Sequence, residues 1–140
     1  MKKMLSALIL ALGMSLSLNV NAECPKPVRS DVLAEGQGAS GTNLYNLDGD
    51  AFSVSFTNVP WRMTQSNMFL SSLMGKNWYM AEHNPDKIIL GAYADNNLFM
   101  VITERNGFML IRSGNSKGFE KAAEIATKDK TCFSKFIKVD

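Results

Sequence analysis

The sequence predicts an α+β domain: an antiparallel sheet of four to five strands with two helices packed on one face, in the order β-α-β-β-β-β-α, and one terminal disulfide. Residues 51–57 alternate, with Phe52, Val54 and Phe56 turned one way and Ser53 and Ser55 the other, the period-two pattern of a half-buried strand. Residues 64–74 and a stretch from Phe119 carry apolar side chains at helical spacing. Cys24 and Cys132, near opposite ends of the chain, are an even count that in an exported protein most simply means one bridge.

The first element is an address. Met1-Lys2-Lys3 precedes the apolar run Leu5–Leu18, and Val20-Asn21-Ala22 ends it with small residues at the positions a signal peptidase reads. The run is shorter than the roughly 20 residues that span a bilayer. A signal peptide over residues 1–22, cleaved after Ala22, predicts a periplasmic or secreted protein with no stable membrane anchor. Glu23 stands before Cys24 where lipid attachment requires a small residue, which argues against acylation.

Cleavage changes the charge. The 140 residues carry 15 Lys and Arg against 13 Asp and Glu, and the loss of Lys2 and Lys3 brings the two counts level. A neutral domain lacks the electrostatic footprint of a nucleic-acid or anionic-membrane binder. With 46% hydrophobic and 20% charged residues, the chain is also not of the disordered class. Its length is that of one domain.

Residues 23–50, with Pro25, Pro27, Gly36, Gly38, Gly41 and Gly49, read as an extended N-terminal arm held at Cys24; residues 51–140 form the single α+β domain. After the 51–57 strand, Pro60 ends the run. Thr64 is placed to cap a helix over 64–74, and Gly75 to close it. Strands follow at 77–82, 88–94, 98–104 and 108–113, separated by His83-Asn84-Pro85-Asp86, Asp95-Asn96-Asn97 and the hairpin dipeptide Asn106-Gly107. The closing helix carries Phe119, Ala122, Ala123 and Ala126 and ends before Cys132. Leu98–Ile102 and Phe108–Ile111 are apolar at consecutive positions, so both faces of these strands need cover. Two short helices on one face leave the other to the arm, a partner chain or a ligand.

No catalytic, cofactor or metal site is expected. His83 is a lone histidine in a turn with no nucleophile elbow elsewhere. One histidine and two bridged cysteines cannot make an ordinary zinc site. Asn46, Asp48 and Asp50 resemble the start of a calcium loop, but Ala51 and Thr57 stand where its Gly and Glu belong; a turn is the better reading. Gly36, Gly38 and Gly41 follow no strand and miss dinucleotide spacing. Met63, Met68, Met74, Met80, Met100 and Met109 could hold copper(I) or a small ligand, although their spacing equally fits core filling. Trp61 and Tyr79 are the aromatics placed to contact a partner.

Ser71-Ser72-Leu73-Met74-Gly75-Lys76-Asn77-Trp78 closes a helix and sets a Trp at the next strand. Lys87–Ala92, Phe99–Thr103 and Phe108–Ser113 follow. Over about 63–128 the pattern resembles small bacterial envelope domains, often lipoproteins, in which a helix with Leu five residues before a Trp precedes a three-stranded meander and a closing helix. The resemblance implies architecture and compartment, and no catalytic signature; this chain departs from it in the residue before Cys24 and in its cysteine pair. The expectation is a non-enzymatic exported protein-interaction module, of a class that includes inhibitors and immunity proteins, binding a protein partner or a second copy of itself. The alternative is a small-ligand or copper-binding protein.

Overall fold

The structure, a computed structural model, describes residues 24–33, 40–129, Cys132 and Phe136. The expected signal peptide, residues 1–22, lies outside them. Seven strands form one antiparallel sheet: β1 (Arg29–Ser30), β2 (Gly41–Leu47), β3 (Asp50–Pro60), β4 (Trp78–His83), β5 (Lys87–Ala92), β6 (Leu98–Arg105) and β7 (Phe108–Asn115), in the spatial order β1-β2-β3-β7-β6-β5-β4. The five strands expected from 51–113 are all present. The expected count of four to five falls short because β1 and β2 arise within residues 23–50, read as an arm. In β2 the buried side is Asn43, Tyr45 and Leu47, while Leu44 lies on the other. A buried Asn and an outward Leu erase the alternation that would have marked the strand.

The Leu47-Asp48-Gly49-Asp50 turn joins β2 to β3, and Asn46 Oδ1 accepts the Gly49 N–H at 2.7 Å. Asn106 and Gly107 both adopt positive φ, 55° and 91°, the geometry a two-residue hairpin requires. A 3₁₀ helix, Trp61–Gln65, leads into α1 (Asn67–Met74). Thr64 does not cap α1: it is buried and donates its hydroxyl proton to the Trp61 carbonyl, and Ser66 Oγ accepts the Phe69 N–H at 3.1 Å instead. Gly75 closes the helix through its N–H to the Ser71 carbonyl. In α2 (Ser116–Lys128), Asn115 Oδ1 accepts the Gly118 N–H at 2.7 Å. Lys121 Nζ lies 2.8 Å from Asp50 Oδ2, pinning α2 to the start of β3. Those hydrogen bonds, from Lys121 first and Asn115 second, hold the Asp50 carboxyl below its ordinary pKa.

The helices lie on opposite faces of the sheet, not on one. Successive residues of a strand point to opposite faces. On β7, Met109 belongs to a core with Leu70 of α1, Ile88, Leu90 and Ile102. Its neighbour Leu110 belongs to a second core with Ala122 and Ala126 of α2, Phe52, Val54, Phe56 and Tyr45. Connectivity explains the arrangement. The chain leaves β3 in mid-sheet and must reach the far edge at β4, so the α1 segment crosses one face. After β7 the chain folds back over β2 and β3 on the other face. The second core also takes in Phe136 and both halves of the Cys24–Cys132 disulfide, which joins residues 108 positions apart with Cα atoms 5.3 Å apart.

Candidate functional site

Seven strands about 4.8 Å apart make a sheet far wider than a helix about 10 Å across. Among the described residues, each helix therefore covers part of one face and leaves the rest of it uncovered. On the α1 face, the uncovered part over β2 and β3 is largely polar. Thr42, Asn46, Ser53, Ser55 and Thr57 surround Leu44 and Ala51, and the Thr42 and Ser55 hydroxyls bond each other at 2.8 Å. Such a surface is at ease in water.

The uncovered part of the α2 face, over β4–β6, differs. Registry places three rungs there. Tyr79, Gly91 and Phe99 form one; Glu82, Ile89, Val101 and Arg112 the next; Lys87, Thr103 and Leu110 the third. Tyr79, Ile89, Phe99 and Val101 are half-buried and belong to neither core. Gly91 lets the Tyr79 ring lie flat on the sheet: a Cβ there would come within 2.4 Å of the ring and its hydroxyl. Tyr93, just beyond β5, stands 69% exposed with its ring centroid 5.2 Å from that of Tyr79. One end of this open quarter is thus aromatic.

The other end is cationic. Arg105 sits over the Phe56 ring, 4.9 Å from its centroid, and Lys87 flanks Thr103 on the neighbouring strand. Arg112, 2% exposed, donates from Nη2 to Thr103 Oγ1 at 2.7 Å, which carries its guanidinium from β7 toward β6. Its buried Nε has no hydrogen-bond partner among the described residues. Burial alone lowers the Arg112 pKa to about 10. A buried cation without a carboxylate costs stability, so Arg112→Met, which keeps the length and removes the charge, is expected to raise the unfolding free energy by about 1–3 kcal/mol. Urea titration reads the change; a decrease would mean that the bond to Thr103 outweighs desolvation.

No protein-family model, curated protein or solved structure matches the chain. The site's geometry therefore carries the functional reading.

Of the two aromatics expected at a partner surface, Tyr79 lies in the open quarter. Trp61 does not: it is half-buried against the α1-side core, with its backbone N–H bonded to the Gly107 carbonyl at 2.8 Å. Tyr93 was not singled out from sequence, because a lone tyrosine after a strand carries no pattern. Met74, Met80, Met100 and Met109 all pack in or against the α1-side core, Met109 at 2% exposure. Met68 is 83% exposed and stands apart from them. His83 is exposed at the end of β4, and Asn84 engages the Glu82 carboxylate at 2.7 Å. Asn46 and Asp50 are committed to the β2–β3 turn and to α2. Among the described residues no three His, Cys, Asp or Glu gather where a metal ion could be held, and no helix is long and apolar enough to cross a membrane. Two surface depressions, of about 170 Å³ beside Lys121 and about 250 Å³ beside Ser113, are smaller than the roughly 300 Å³ at which small-molecule sites begin.

Proposed function

We propose that this is an exported, non-enzymatic interaction module that docks another protein on the open quarter of its sheet over β4–β6. The observation that carries the reading is the group Tyr79, Ile89, Phe99 and Val101: apolar, partly exposed, and outside both cores. Contiguous exposed apolar surface of this kind, rimmed by charge, favours a protein interface. Aromatic anchors of the Tyr79–Tyr93 type supply much of the energy of such contacts. Periplasmic or secreted localisation is part of the same proposal, supported by the leader pattern of residues 1–22 and by a disulfide that needs an oxidising compartment.

The test is spatial. A photoreactive residue is placed at Tyr93 in one variant and at Ser53, on the polar open quarter, in another. Both are exported from the native host and irradiated. Discrete adducts from position 93 with none from position 53 are expected. Equal labelling from both positions, or none from 93, would remove the docking reading.

A further inference from the structure

Resting on that reading, we infer that the occupant of the open quarter is an acidic protein segment whose Asp or Glu carboxylate seats over Thr103, with an apolar side chain resting on the Tyr79 and Phe99 rings. Thr103 is the half-exposed polar centre of the cationic end. Its hydroxyl oxygen already accepts from Arg112 Nη2, and its own proton has no acceptor among the described residues. Lys87 lies directly across from it on β5, and Arg105 follows two positions along the same strand face. A carboxylate at this point meets one hydroxyl donor and two surface cations, Lys87 and Arg105, with the buried Arg112 behind Thr103. Glu82 is the single acid on the same rungs, out on edge strand β4 and held by Asn84. Charge on this surface is therefore two to one in favour of an anion, with the buried Arg112 adding a third positive charge beneath it.

Arg112 is the second, independent sign. It is almost wholly buried, forms no ion pair with a carboxylate and leaves Nε unpartnered among the described residues, and reaches from β7 to Thr103 on β6. A guanidinium so placed recovers its lost hydration when an anion arrives. The aromatic end sets the second requirement. Phe99 and Thr103 are four residues apart on one strand, about 13 Å at the usual strand rise. A partner segment needs an acid and an apolar residue at that separation: four residues apart if extended, or about two turns apart if helical. A second copy of this chain would bring Lys87 and Arg105 to the same surface, and like charges would oppose.

The test uses the full exported chain with the photoreactive residue at Tyr93. Lys87→Glu combined with Arg105→Glu is expected to cut adduct yield about tenfold or more, and Thr103→Val to reduce it in the same direction. Lys76→Glu, outside these rungs, should leave it unchanged. Thermal unfolding of each variant separates lost binding from lost folding, and Thr103→Val keeps the side-chain shape should the double reversal fail to fold. Sequencing of the cross-linked peptide should find Asp or Glu at the stated separation from an apolar residue, and its reversal to Lys should restore the adduct of the Lys87→Glu/Arg105→Glu chain. An adduct that survives charge reversal overturns the acidic occupant and leaves the docking reading standing. Mapping to a second copy of this chain, or to phospholipid, also overturns it. Absence of any adduct in the parent chain defeats the docking reading itself.

Discussion

Phe52→Ala is expected to lower the unfolding free energy by about 3–5 kcal/mol, the range for deleting a fully buried aromatic ring. Phe52 is 0% exposed. Its ring meets Phe119 of α2 edge-on at 5.1 Å and Phe136 at 5.8 Å. It also lies against Gly114 of β7, where an added Cβ would stand 3.2 Å from the ring. The one side chain therefore joins β3, α2 and Phe136, and no single neighbour can move in to fill the space. Edge-to-face pairs of this geometry add about 0.5–1.5 kcal/mol beyond area burial. Guanidinium titration measures the loss. Phe119→Ala, which removes a half-buried ring from the same cluster, should cost less. A loss below about 2 kcal/mol for Phe52→Ala would mean that the α2-side core collapses around the gap, and that Phe52 is not its centre.

The strands of the 51–113 region were legible because their signals are local. The alternation of Phe52, Val54 and Phe56 and the Asn106-Gly107 turn each lie within a few residues, and the structure places β3 and the β6–β7 hairpin on them. The cysteine pair was legible from count and compartment. The placement of the helices on opposite faces was not. It depends on β7 inserting beside β3, a pairing of residues more than fifty positions apart such as Phe56 with Leu110, which no local pattern announces. The consecutive apolar residues of β7 did signal two covered faces, and Met109 and Leu110 are buried on opposite sides, whereas the same pattern in β6 leaves Phe99 and Val101 outside both cores. What the pattern lacked was the width of the sheet. With β1 and β2 added, neither helix spans its face, and the open quarter is a consequence of that mismatch. The alternation of β4 sets Tyr79 on the face opposite Trp78, whereas Thr103, Arg105 and Arg112 join that face only through the register of β5, β6 and β7.

Removing the disulfide is expected to cost about 4–5 kcal/mol, because the bridge closes a loop of more than a hundred residues and the chain-entropy contribution grows with loop length. For a domain whose whole stability falls at about 5–15 kcal/mol, that loss leaves the reduced chain marginal. The bridge acts mainly on the unfolded chain, which it keeps compact. The Cys24→Ala/Cys132→Ala protein should therefore show a steeper dependence of stability on denaturant as well as a lower midpoint, since a freer unfolded chain exposes more surface. The folded state offers a competing mechanism. Cys132 is fully buried in the α2-side core with Phe136 and Tyr45, and the Tyr45 and Phe136 rings meet edge-on at 5.1 Å. If the loss came from that packing, the denaturant dependence would stay the same while near-ultraviolet circular dichroism of the tyrosine changed. The apolar residues of the open quarter, Tyr79, Ile89, Phe99 and Val101, belong to neither core, and the quarter meets the core of the two cysteines at Leu110. Where the bridgeless chain is still folded, its adducts from position 93 should persist. Stability then depends on one half of the sheet and docking on the other, and an adduct lost from a folded bridgeless chain would show that the two halves are coupled.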